Sequence, residues 1–171
     1  KAGALPIPLR IVEERQVGPT LGEDAVRSGI ISGIVGTLFV ILVMTLYYRF
    51  AGALAVAALA LYILLTLGGL AMLDATLTLP GLAGLVLSVG IAVDANVLIF
   101  ERIREELAAG KTIRLAVDEG FRHAMSAIID SNVTTVLTAV VLLVYGSGPV
   151  KGFAVTLSIG LVVSMFTAVV V

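Results

Sequence analysis

Long unbroken stretches of apolar residues dominate the chain, and polar residues gather between them. The apolar stretches lack a polar stripe at helical spacing, so they predict helices that are apolar on every side and face lipid. Each stretch approaches the roughly 20 residues that a helix needs to cross a bilayer. The pattern predicts an all-α, polytopic transmembrane bundle over residues 28–171, with spans at about 28–48, 50–73, 79–100, 132–150 and 152–171.

The connections carry turn and helix-start residues. Arg49 alone separates the first two spans, and Pro80 stands at the start of the third, where its missing N–H costs no hydrogen bond. "YGSGPVKGF" predicts a tight glycine and proline turn between the last two spans. Thr20 and Glu23 fit a capping box, which predicts a helix that begins there and runs into the first span.

The one long connection, residues 101–131, is predicted to carry an amphipathic helix. In "KTIRLAVDEGFRHAMSAII" the residues of the predicted apolar face are Ile113, Val117, Phe121, Met125 and Ile128. Such a helix would lie in the membrane interface or dock under the bundle, and packing is its favoured role. His123, the single histidine, is interpreted as a solvated side chain, because no second metal-binding group is spaced to join it.

Composition supports a membrane protein and argues against other classes. Hydrophobic residues make up 59% of the chain and charged residues 13%, far from the quarter that is charged in soluble domains. The net charge of −1 excludes a basic nucleic-acid surface, and the lack of cysteine excludes disulfides. No serine–histidine pair or close pair of acids is apparent, so neither catalytic residues, a metal site nor a cofactor is predicted. The chain is expected to be part of a longer polypeptide.

Lysine and arginine are divided unevenly between the two ends of the predicted bundle. The end with residues 101–131 holds Arg49, Arg102, Arg104, Lys111, Arg114 and Arg122. Apart from residues 1–27, the other end holds Lys151. The positive-inside rule therefore places residues 101–131 in the cytoplasm and residues 1–27 outside. We expect residues 1–27 to be the end of a large translocated domain, which the rule does not govern.

One ionisable residue interrupts the predicted spans, and it is Asp94 in "SVGIAVDANVLIFERIREEL". A helix that starts at Pro80 brings Asp94 roughly 21 Å into a hydrocarbon layer about 30 Å thick. Insertion of an aspartate at a span centre costs about 2.5 to 3.5 kcal/mol, and no basic residue within the spans could pair with it. We predict that Asp94 meets water, a mobile ion or a partner from elsewhere. The alternative is a buried hydrogen bond or ion pair that holds the bundle together.

Small and polar residues accompany Asp94 on its helix. Gly90, one turn away, is predicted to leave room beside the carboxyl for water or a neighbouring helix. A second line of small or polar residues recurs at every fourth position and consists of Gly84, Ser88, Ala92 and Asn96. Such lines allow membrane helices to pack closely. In the next span, three hydroxyls are expected to bond back to their own helix first, those of Thr134, Thr135 and Thr138.

Three stretches resemble the SecD family of the bacterial Sec protein-export machinery. "GIAVDANVLIFERIREEL" resembles its fourth-helix signature, and "SNVTTVLTAVVLLVYGSGPVKGFAVTLSIGLVVSMFTAVVV" the two helices that close its membrane domain. "LPIPLRIVEERQVGPTLGEDAVRSG" resembles the exit from its large periplasmic domain. The resemblance covers essentially the whole chain. It implies one half of a resistance–nodulation–division transporter fold, and it implies that Asp94 belongs to an ion-conducting path.

The function implied by this resemblance is ion-driven assistance of Sec-dependent protein export across the bacterial plasma membrane. The implied partners are SecF (separate or fused), the SecYEG translocon, a YajC-like accessory subunit and the exported preprotein. The driving ion is a proton or sodium, and a single carboxylate without a cage of oxygens favours the proton. Two alternatives remain open, a small-molecule proton-antiport exporter of the same superfamily and a passive scaffold of the translocase.

Overall fold

Five helices make up the computed structural model, which describes residues 19–75 and 77–170, with side chains from residue 22 onward. They are α1 (Pro19–Tyr48), α2 (Phe50–Met72), α3 (Leu79–Ala108), α4 (Ile113–Tyr145) and α5 (Pro149–Val170). All five are long and apolar enough to cross a membrane, and the described residues form no strand. The predicted all-α polytopic bundle is confirmed.

α1 begins at Pro19, beside the predicted start at Thr20, and continues unbroken into the first span. The side chain of Thr20 and the whole of residues 1–18 lie outside the described part of the chain. The capping box at Thr20 and the placement of residues 1–18 at the end of another domain therefore stay predictions.

α3 is the centre of the bundle. It packs against each of the other four helices, and half of its most apolar stretch is buried within the chain, against 6% for α1. Its start is well defined, because the Thr78 hydroxyl accepts a hydrogen bond from the N–H of Gly81 at 3.1 Å and Pro80 occupies the first turn.

α3 and α5 approach closely along a seam of small residues. A Cβ atom on Gly160 would lie 2.6 Å from the Cβ of Ser88, so the seam requires glycine at this position of α5. Further along the same seam, Gly84 lies against Phe153. Close approach of this kind gives membrane helices the van der Waals contact that holds them together.

The connection between α3 and α4 differs from the prediction. α3 continues to Ala108 and α4 runs unbroken from Ile113 to Tyr145, so the long loop predicted at residues 101–131 is reduced to residues 109–112. Gly110 makes the turn with a φ of +85°, a conformation that glycine adopts freely. The amphipathic segment is the first part of α4 and not a separate helix in the membrane interface.

The buried side of this first part of α4 is also different from the predicted one. It is formed mainly by small residues, Ala116, Gly120, Ala124 and Ile128. Ile113 and Val117 of the predicted apolar face are instead 75% and 46% exposed. The cause is the close approach of α3, because a Cβ on Gly120 would lie 2.8 Å from the Cα of Ile103. Larger apolar side chains do not fit between the two helices here.

The short connections fall at two opposite ends of the bundle. The Thr78 hydroxyl donates to the carbonyl of Pro149 at 3.4 Å, which joins the α2–α3 and α4–α5 turns at one end. At the other end, the Tyr48 hydroxyl donates to Oε1 of Glu101 at 2.9 Å. Arg104 lies at that second end, where its guanidinium contacts the ring of Tyr47 and the carboxylate of Glu101. The arginine-rich end that fixes the predicted orientation is therefore one end of a single bundle.

Candidate functional site

Asp94 lies near the middle of α3, on a side that the other described helices leave open. Its neighbours Val93 and Ala95 are buried, whereas Asp94 is exposed within this chain. The carboxylate lines a cleft of about 200 Å³ between α3 and α4. Among the described residues, no cation lies within salt-bridge distance of it. The structure thus places the Asp94 side chain beside a cleft. Residues 22–75 and 77–170 supply no counter-charge to it.

The wall of the cleft opposite Asp94 is polar. α4 contributes Ile128, Ser131, Asn132 and Thr135 to this wall. The Ser131 hydroxyl donates to the carbonyl of Ile128, and the Thr135 hydroxyl to the carbonyl of Ser131, each at 3.0 Å. Since their protons point to the helix backbone, both hydroxyl oxygens keep lone pairs for a water molecule or a cation.

Two hydroxyls of α4 outside the cleft follow the same rule. Thr134 donates to the carbonyl of Asp130 and Thr138 to that of Thr134, each at 3.1 Å. The predicted bonding of these threonines to their own helix is confirmed, and it leaves no hydroxyl proton of this group free to cross the bundle.

The residues predicted to accompany Asp94 occupy different places. Gly90 has open space beside it, since a Cβ there would meet no atom within 4 Å. Ser88 is buried on the α5 side of α3, where it accepts a hydrogen bond from the Tyr62 hydroxyl at 2.7 Å. Asn96 donates weakly to the carbonyl of Ala92 at 3.4 Å, and Gly84 lies in the seam with α5. None of the four lines the cleft of Asp94.

Sequence reasoning singled out Thr135 but missed Ser131 and Asn132, the other polar cleft residues of α4. Thr135 lies four residues after Ser131 and three after Asn132 at the start of the predicted fourth span, so each of the two shares a helical face with Thr135. That pattern was a sufficient signal for a polar face, but residue 131 was assigned to a loop. The continuous α4 places all three on one helix beside α3.

A second and larger cavity lies at the arginine-rich end. It has a volume of about 620 Å³ and is lined mostly by apolar and aromatic side chains, with Asn96 and Arg104 among its polar residues. Arg104 is engaged there, because its Nη1 donates to Oε1 of Glu101 at 2.9 Å and to the Tyr47 hydroxyl at 3.3 Å. The sequence pattern did not indicate this cavity.

At the C-terminal end of α3, an ionic cluster connects α3 and the turn at residues 109–112 to α4. The ammonium of Lys111 contacts the carboxylates of Glu106 and Glu119, and Nδ1 of His123 lies 3.0 Å from Oε1 of Glu106. The hydrogen bond with Glu106, followed by that with Glu119, raises the pKa of Lys111. His123 is half-exposed, as predicted, and it bonds to a carboxylate. No group of three or more acidic or histidine side chains that could hold a metal occurs in the described part of the chain.

These features define a multi-pass helical membrane domain with a carboxylate on its central helix. The family model described as "Protein export membrane protein SecD/SecF, C-terminal" matches residues 6–171. The chain therefore belongs to the SecD/SecF family.

Named relatives agree with this assignment. The chain is 56% identical to the protein translocase subunit SecD of Syntrophobacter fumaroxidans, over 99% of this chain and 32% of that protein. It is 57% identical to the protein of the same name from Rhodothermus marinus, over the whole chain and 28% of the relative. The crystal structure of SecDF, a translocon-associated membrane protein from Thermus thermophilus, superposes with a TM-score of 0.89 at 51% identity, covering 97% of this chain and 23% of that one. The chain spans about a third of the length of the curated relatives it matches.

Proposed function

We propose that this chain is part of an ion-driven membrane subunit that assists Sec-dependent protein export, and that Asp94 binds and releases the driving ion. The position of Asp94 carries the proposal. Its carboxylate lies in the central helix, lines a cleft with a polar wall and has no cation from the described residues beside it. Ionisable groups placed like this within membrane spans mark ion and proton paths.

The chemistry of the cycle follows from the cost of charge in hydrocarbon. A deprotonated Asp94 favours an arrangement in which water reaches the cleft, and a neutral one favours closer packing of α3 against its surroundings. One elementary charge that crosses 100 mV supplies about 2.3 kcal/mol, enough to change the relative population of two helix arrangements nearly fifty-fold. The proton is the proposed ion, because the cleft supplies one carboxylate and few other oxygens.

The wider setting is proposed on the family assignment. The SecF subunit or a fused SecF half would lie against the open side of α3, next to the SecYEG translocon, a YajC-like subunit and the exported preprotein. The Lys111 end would face the cytoplasm of a bacterial plasma membrane and residues 1–27 the outside. No enzymatic reaction and no cofactor are part of the proposal.

One observation favours a second function, export of small molecules. The apolar cavity of about 620 Å³ is large enough for a small hydrophobic compound. The similarity of 99% of this chain to a SecD protein supports protein export more strongly. The third possibility, a passive scaffold, would make Asp94 a structural residue.

The decisive experiment replaces Asp94 in the full-length protein and measures export that depends on the membrane potential. Asp94→Asn keeps the shape of the side chain without its charge, so we expect normal accumulation in the membrane and loss of ion-driven stimulation. Asp94→Glu should retain a fraction, because the carboxyl persists at a shifted position. Asp118→Asn, which neutralises an exposed carboxylate on α4, is the matched control and should export normally. Normal export by Asp94→Asn would favour the scaffold.

A further inference from the structure

Asn132 stands out among the polar side chains of the bundle. It is 4% exposed, it lines the cleft that contains Asp94, and no hydrogen bond joins its side chain to any residue that the structure describes. The polar atoms of Asn132 are not fully enclosed. Among the described residues, the Thr66 hydroxyl oxygen is the fully enclosed side-chain atom without a partner. Asn132 is therefore almost completely buried, and its amide is accessible from the cleft.

The Asn132 amide has no partner among the described residues, so it bonds to whatever fills the cleft. Leaving a buried donor or acceptor unsatisfied forfeits its hydration, and most buried polar groups have a protein or water partner. The hydroxyls of Ser131 and Thr135 on the same wall already donate to their own helix. Neither hydroxyl is hydrogen-bonded to the Asn132 amide, so the other cleft groups that can bond to it are water and the carboxyl of Asp94.

The cleft is large enough for this water. Its volume of about 200 Å³ is several times the roughly 30 Å³ that one water molecule occupies in the liquid. A water there would meet the Asp94 carboxyl on the α3 side, and the Asn132 amide and two hydroxyl oxygens on the α4 side. Three or four polar partners are what a buried water needs.

We propose that Asn132 is a positioning residue for Asp94, acting on the carboxyl through water held in the cleft between α3 and α4. This inference rests on the proposed function of Asp94 as the ion-binding group. The amide suits both states of that group, because its NH₂ donates toward a carboxylate and its oxygen accepts from a neutral carboxyl. A lysine or arginine at this position would serve the ionised state alone.

The test uses the full-length protein in lipid nanodiscs and follows the infrared C=O stretch of the protonated Asp94 carboxyl, identified by its absence in Asp94→Asn. In Asn132→Leu, which keeps the bulk and removes the amide, the band should move to higher wavenumber, because the carboxyl loses a hydrogen-bonded network. Ion-driven export should fall roughly tenfold, the factor for loss of one hydrogen bond to a charged group. Thr138→Val is the control, since this hydroxyl lies outside the cleft and bonds to its own helix. It should leave both readings unchanged.

Asn132→Ser keeps a shorter polar group and should shift the Asp94 C=O band less than Asn132→Leu does. If the leucine variant fails to accumulate, the serine variant provides the measurement. A band that stays in place in both Asn132 variants overturns the inference. It would leave the proposed function standing so long as Asp94→Asn abolishes ion-driven export. Normal export by Asp94→Asn would instead remove the proposed function itself.

Discussion

Tyr62 and Ser88 form a hydrogen bond between two side chains that are each 1% exposed. The hydroxyl of Ser88 donates a hydrogen bond to the carbonyl of Leu85 at 2.9 Å, and its oxygen accepts one from the Tyr62 hydroxyl. The bond fixes how α2 is rotated relative to α3.

We expect the effects of Tyr62→Phe and Ser88→Ala on the free energy of unfolding to be non-additive. Hydrogen bonds between membrane helices contribute about 0.6 kcal/mol on average in double-mutant cycles, and a coupling energy of that size or above should appear when the two variants and the double variant are unfolded in mixed micelles. The control is Ser158→Ala, because Ser158 donates to the carbonyl of Ala154 on its own helix. Additive effects of the Tyr62 and Ser88 changes would contradict the structural assignment.

Single residues also show what the sequence could and could not predict. Asp94 was recognisable because one carboxylate in an apolar span is costly wherever the helix packs. Asn132 was not, since an amide is tolerated at many depths and its importance depends on which helix lies opposite. The partner of Ser88 was likewise unpredictable, because Tyr62 comes from another helix and only the packing of α2 brings it within 2.7 Å.

At the scale of helices, the number and type of the helices were predictable, and their ends and buried faces were less so. The apolar runs set the number of helices, and Pro80 and Gly146 mark where α3 begins and α4 ends. The buried side of the first part of α4 was predicted only in part, because Ile128 is buried as expected, whereas Ile113 and Val117 are exposed and alanine and glycine are buried instead. In contact with lipid, apolar residues gain little from burial, so closeness of approach decides which face packs.

The seam between α3 and α5 yields a prediction at this scale. Gly160→Ala should weaken packing by about 1 to 3 kcal/mol, the usual cost of forcing extra atoms into a packed core, since the new Cβ would lie 2.6 Å from that of Ser88. Gly90→Ala is the matched control, because nothing lies within 4 Å of a Cβ there. The measurement is the midpoint of unfolding in detergent, and equal midpoints for the two variants would argue against the seam.

For the whole molecule, the division of charge between its ends predicts an orientation that cysteine labelling can measure. The chain contains no cysteine, so a label introduced into it reports on the chosen site. Ala109→Cys in the α3–α4 turn and Ser147→Cys in the α4–α5 turn are exposed and lie at opposite ends. In intact cells, a membrane-impermeant maleimide should label Ser147→Cys and leave Ala109→Cys unlabelled. The reverse pattern would invert the assigned sides.

The joint between α1 and α2 has a mechanical consequence. Arg49 is the single residue between the two helices, and its φ of 51° reverses the chain within one step. Such a short joint keeps the adjoining ends of the two helices together, so a movement of α2 against the core also moves α1. α1 has 30 residues, which makes it a rod about 45 Å long. A tilt of roughly 5° about Arg49 would swing its far end by about 4 Å, so this peripheral helix would act as a lever arm that enlarges small movements made beside Asp94.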